Sequence, residues 1–196
     1  TGAMTMNSSG SITMQNGAAV NIYAGGSIDL TSTAGFTSGT APGIMTIAAG
    51  GTLTKSVSGS ADVDIDITNN GDIHVTAGTL RIDASTLTNN ANITIDEGAT
   101  LSISNGSLIN TGTIEGDGTI TLFGTGTLTN DGTIEVGGID QIGDFTVTGD
   151  IGSVSATNQF VFEIDSVGSY DQLTANDITL TAGTDELVLD FTNYTP

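Results

Sequence analysis

From residue 61 to residue 136 the chain is written in runs of four or five residues in which an aliphatic side chain alternates with a polar one. Ile73 and Val75 flank His74, Ile93 and Ile95 flank Thr94, and Leu101 and Ile103 flank Ser102. A period of two is the signature of a strand with one buried face, so the aliphatics are expected to point inward and the middle residues outward. Glycine, asparagine and aspartate separate the runs, and no helical period intervenes.

The runs also repeat. Ile67-Thr68-Asn69, Leu87-Thr88-Asn89, Leu108-Ile109-Asn110 and Leu128-Thr129-Asn130 lie 20, 21 and 20 residues apart, and each asparagine is followed four residues later by Ile73, Ile93, Ile114 or Ile134. Thr79-Leu80-Arg81-Ile82, Thr100-Leu101-Ser102-Ile103 and Thr119-Ile120-Thr121-Leu122 follow a similar step. A repeat of this length that cannot bury its own apolar face reads as one turn of a solenoid with about three strands per turn. Stacked in register about 4.8 Å apart, the turns would place isoleucine on isoleucine and pair every backbone amide. The fold class is therefore all-β, a parallel β-helix (β-solenoid) with about 20 residues per coil, and the crossover rule makes it right-handed. Asn69, Asn89, Asn110 and Asn130 would stand above one another at a corner, as a structural ladder whose amides bond along the stack.

Residues 1–60 carry weaker forms of the pattern, such as Ser27-Ile28-Asp29-Leu30 and Thr52-Leu53-Thr54. Within them, residues 31–43 (TSTAGFTSGTAPG) break the alternation and are expected to project as a loop insertion from one corner. After Gly138 the step is lost and aromatics become more frequent. The expected division is coils over 1–138, then terminal coils and a capping β segment over 139–196, with Phe160, Phe162, Leu173, Leu189 and Phe191 covering the end of the core.

Phe162-Glu163-Ile164, Ser169-Tyr170-Asp171-Gln172-Leu173, Ile178-Thr179-Leu180 and Leu187-Val188-Leu189, behind the Leu-Thr-Asn coils, resemble the ending of passenger domains in bacterial autotransporters and filamentous-haemagglutinin-type surface proteins. The resemblance implies a secreted or cell-surface β-helix with roles in adhesion, aggregation or biofilm, and it implies no catalytic residue.

Composition narrows the function classes. Against 22 acidic residues stand only Lys55 and Arg81, for a formal charge of −20. Such a surface repels phosphate backbones and anionic lipid, so nucleic acid is not an expected partner. No apolar run is long enough to insert in a membrane. Cysteine is absent, so no disulfide framework or thiol nucleophile exists.

Three clusters of side chains invite chemistry. Asp62, Asp64 and Asp66 alternate, which on one strand would set three carboxylates roughly 6–7 Å apart; these are the candidate metal ligands, with calcium the one cofactor they would suit. A solvated acidic face is the competing reading. His74, Thr94, Glu115 and Glu135 would form an outward column with like charges stacked at its end. Arg81 and His74, beside Asp72 and Asp83, are the pieces from which a lyase-like site could be drawn. With no tryptophan and little else to form a sugar platform, the chain is expected not to be an enzyme. The expected function is an extracellular structural or adhesive rod, or a subunit that self-associates head to tail into a fibre, with glycan or host protein as other partners. A polysaccharide-binding or polysaccharide-degrading β-helix is the alternative, as is ice binding through Thr119 and Thr121.

Overall fold

A computed structural model describes residues 2–154, 158–180 and 185–191. Successive turns of the chain each contribute one strand to each of three sheets, parallel throughout except where Ser169–Tyr170 runs antiparallel to Gln159–Ser166, making a β-solenoid of about seven turns, with no helix among the described residues. In the central turns the first sheet holds Asp72–Val75, Asn92–Ile95, Thr113–Gly116 and Thr133–Val136. Thr79–Asp83, Thr100–Ser104, Thr119–Phe123 and Asp144–Thr148 lie in the second sheet, and Asp66–Asn69, Thr86–Asn89, Ser107–Asn110 and Thr127–Asn130 in the third.

Register turns the alternation into columns. Ile73, Ile93, Ile114 and Ile134 stack in the first sheet. Leu80, Leu101, Ile120 and Val147 stack in the second, and Ile67, Leu87, Leu108 and Leu128 in the third. All twelve are buried and belong to one core enclosed by the three sheets. Fully burying each such side chain is worth about 1.5–3 kcal/mol against leaving it in water, and the gain requires a neighbour above and below.

The corners explain the asparagine and glycine of the repeat. Asn69 and Asn89 accept, through Oδ1, the backbone N–H two residues on, from Gly71 at 3.1 Å and Ala91 at 3.4 Å, which bends the chain as an Asx turn. One turn above Ala91, a Cβ on Gly112 would sit 2.1 Å from the Ala91 carbonyl oxygen, so the coils approach there more closely than a side chain allows.

Two expectations are corrected. Residues 31–43 do not project: they contain the core strand Phe36–Ser38, whose Phe36 is in register with Ile12 and Val63 and wholly buried, as is Ala34. The glycine, serine and proline that read as a loop are the bends on either side of this short strand. Gly35 is demanded by the packing, since its Cβ would lie 1.7 Å from the Asp62 carbonyl oxygen. Past Gly138 stacking continues, and it is the expected cap that differs. Phe160 pairs with Ile134, Phe145 with Leu173, Ile151 with Ile178, and Glu186–Asp190 with Gln159–Glu163, all in parallel. The step simply lengthens, as Gln159 stacks on Thr133 and Glu186 on Gln159. Phe160 is buried and Phe162 and Leu173 pack partly against the core, but Leu189 and Phe191 are exposed, so these two do not cover it. Residues 192–196 of the expected cap lie outside the described residues.

Candidate functional site

The asparagine ladder is continuous. Asn69 Nδ2 donates to Asn89 Oδ1, Asn89 Nδ2 to Asn110 Oδ1, and Asn110 Nδ2 to Asn130 Oδ1, each at 2.7 Å. All four side chains are wholly buried, and their amides also reach the carbonyls of Asn92, Thr113 and Thr133. Buried amides whose donors are spent in this way are scaffold, with no hydrogen-bonding capacity left to offer a ligand.

The aspartate row is broken by a corner that the sequence pattern did not reveal. Asp62 lies on the strand Ser60–Val63 of the second sheet and Asp66 on Asp66–Asn69 of the third, with Asp64 in the bend between them. The three carboxylates therefore do not share a strand face. Asp62 receives Arg81 Nε and Nη2, both at 2.8 Å, a two-pronged ion pair that Asp83 flanks at 3.6 Å. Asp66 Oδ1 accepts the Thr86 N–H at 2.8 Å. Asp64 is half-buried with Oδ1 unpartnered, and its pKa is pushed up by burial first, then by Asp62 and Asp83, with Arg81 opposing. Among the described residues no group of three or more His, Asp and Glu side chains converges as a metal site.

His74, Thr94, Glu115 and Glu135 form the expected column, each beside the next in register. Thr94 Oγ1 donates to Glu115 Oε1 at 2.9 Å, which relieves part of the charge. Glu135 is shifted upward by burial first and then by Glu115, Asp140 and Asp171. His74 Nε2 meets Asp96 Oδ1 at 2.8 Å on the first sheet, whereas Arg81 is occupied on the second. The side chains from which a lyase-like site could be drawn thus belong to different faces.

One basic residue stands where the alternation places the core. Lys55 occupies the inward phase of Thr52–Lys55, stacked between Leu30 and Val75 in the core and wholly buried. Its Nζ donates to the Val57 carbonyl oxygen. Burial lowers its pKa, with Asp29 opposing, so its contribution to stability is fullest in strong base and is lost as pH falls below the ordinary lysine range. Lys55→Met, which keeps the length and removes the charge, is expected to stabilise the chain by about 1 kcal/mol at neutral pH. The check is the denaturant midpoint at unchanged slope, and a lower midpoint would count against this account of the amine.

A hydroxyl lattice runs up the second sheet, where Thr100 with Ser102, Thr119 with Thr121, and Thr146 with Thr148 stand on three successive turns. Arg81, beside Thr79 on the preceding turn, ends it. Both ends of the stack are apolar. At the first turn an apolar mouth of about 590 Å³ is lined by Met4, Ile12, Val20, Tyr23, Ile28 and Phe36. Met4, Ile12 and Tyr23 are exposed there, and the strands Ala3–Met6, Ile12–Met14 and Ala19–Ile22 are the outermost of their sheets. At the other end Ile178, Leu180, Leu187, Leu189 and Phe191 are exposed. Compared with known proteins, the chain matches no protein-family model, no curated protein and no solved structure.

Proposed function

We propose that this chain is an extracellular structural and adhesive β-solenoid of a bacterial surface, in the manner of autotransporter or haemagglutinin-type passengers, whose first turn accepts the last turn of a second copy. The observation that carries this reading is the match between the two ends. Each presents one strand edge from each of the three sheets, together with uncovered apolar side chains, Met4, Ile12 and Tyr23 at one end and Leu187 and Leu189 at the other. Unpaired parallel edges recruit further strands, and a head-to-tail contact of this kind does not close, so it propagates as a filament. The outward faces, rich in threonine, serine, asparagine and aspartate, supply a polar surface suited to glycan or protein contacts, and the charge of −20 keeps lateral association in check.

Electron microscopy of the purified chain over a range of concentrations, with calcium and with chelator, tests the proposal. Fibres that grow with concentration are expected, and deletion of residues 1–10, with the strand content checked by circular dichroism, is expected to abolish them. Isolated short rods in every condition, or fibres that survive the deletion, would overturn the head-to-tail contact.

A further inference from the structure

The corner between the first and second sheets after Val136 is built differently from every earlier one. Gly137, Gly138 and Asp140 all adopt positive φ (77°, 92° and 56°), and a backbone so contorted leaves N–H groups that need outside acceptors. Two buried carboxyls supply them. Asp140 N–H donates to Glu163 Oε1 at 3.0 Å, and Gly143 N–H donates to Asp171 Oδ1 at 2.7 Å. Asp171 Oδ2 accepts the N–H of Glu163 itself at 2.7 Å, and the Asp171 N–H returns a bond to the Glu163 carbonyl oxygen at 3.0 Å.

Glu163 and Asp171 are each only 7% exposed, and no N–H or O–H among the described atoms donates to the buried Glu163 Oε2. A carboxylate oxygen left dry beside another carboxylate has one inexpensive remedy, which is to carry a proton and donate it. No cation is at hand for the alternative. Asp140 and Glu135 face the pair from the preceding turn, Asp190 stands beside Glu163 in register on the following strand, and Lys55, His74 and Arg81 lie on strands several turns earlier.

We propose that Glu163 and Asp171 form a proton-sharing latch that clamps the 137–143 corner onto the last turns of the stack, and that loss of the shared proton loosens this end of the solenoid. The inference is independent of filament formation. Its direction with pH follows from the Glu163 carboxyl, which is raised to about 8, first by burial, then by the hydrogen bond with Asp171 and the charges of Asp171 and Glu135. An acid whose folded value lies above its free value of 4.5 stabilises the closed form fully below about 4.5, and that stabilisation is lost as pH rises towards about 8. The latch is therefore a device that is tight in acid and slack in base.

The test uses the whole chain and two readouts. Carboxyl carbon NMR is expected to show Glu163 titrating near 8. Hydrogen exchange at the Asp140, Gly143 and Glu163 amides, corrected for the intrinsic rate, is expected to lose protection by up to about tenfold per pH unit between roughly pH 5 and 8 and then to level off. Glu163→Gln keeps a donor on the second atom and cannot ionise, so it is expected to hold these amides protected with no such pH dependence. A Glu163 carbon that titrates in the ordinary glutamate range, or an unchanged pH dependence in Glu163→Gln, would overturn the proposal.

Discussion

Ile93→Asp is expected to abolish the single cooperative unfolding transition of this chain at neutral pH. Ile93 is wholly buried in the middle of the column formed by Ile73, Ile114 and Ile134, and its environment contains no side chain that could pair a carboxylate. The cost combines the lost burial of an isoleucine with the desolvation of a charge, together about 4 kcal/mol or more, a large part of the roughly 5–15 kcal/mol that holds a domain together. In a solenoid each turn is stabilised by its two neighbours, so damage at a central turn also divides the stack into two shorter ones. Circular dichroism against denaturant is the check. A variant that unfolds in one step at the wild-type midpoint would mean that position 93 does not face the core.

Asn89→Leu should be nearly as damaging, although leucine is the more hydrophobic residue. Asn89 accepts from Asn69 and donates to Asn110, Ala91 and Thr113, so its loss breaks the ladder in both directions and strands a buried donor and a buried acceptor. At about 1–3 kcal/mol for each orphaned group, the expected loss is about 3 kcal/mol. Asn90→Ser is the control. Asn90 bonds Asn70 and Thr111 at 2.9 Å on the exposed side, a second and wetter row that water can replace, and its substitution is expected to change stability by about 0.5 kcal/mol or less. Equal effects at positions 89 and 90 would refute the inward register of the ladder.

The same two positions show why so much of the scaffold was legible. Asn89 and Asn90 are chemically identical neighbours, and only the repeat distinguishes them, since Asn69, Asn110 and Asn130 keep step with the first and not with the second. A stack multiplies each local preference by the number of turns, so a weak signal in one strand becomes a strong one in the column. Where the step varies, the pattern misleads. The glycine and serine around Phe36 mark a loop, yet its aromatic side chain lies wholly buried in the core. Asp62, Asp64 and Asp66 read as one strand because alternation continues unbroken through the corner at Asp64, and a period of two carries no mark of where a strand bends from one sheet to the next. Lys55 could have been found, because its inward phase is written in Thr52-Leu53-Thr54-Lys55. The Glu163–Asp171 latch could not, since its two carboxyls and the amides they cap come from three separate stretches of chain.

By itself, then, the sequence determined the parallel stack, its three strands per turn, the aliphatic columns and the buried asparagine ladder, because each is a periodic property that equivalent residues enforce on one another through identical contacts. The tertiary structure alone decided where the corners fall, which carboxylates meet a cation or each other, and which apolar side chains the two ends leave in water, because those are contacts between unlike residues that no period relates.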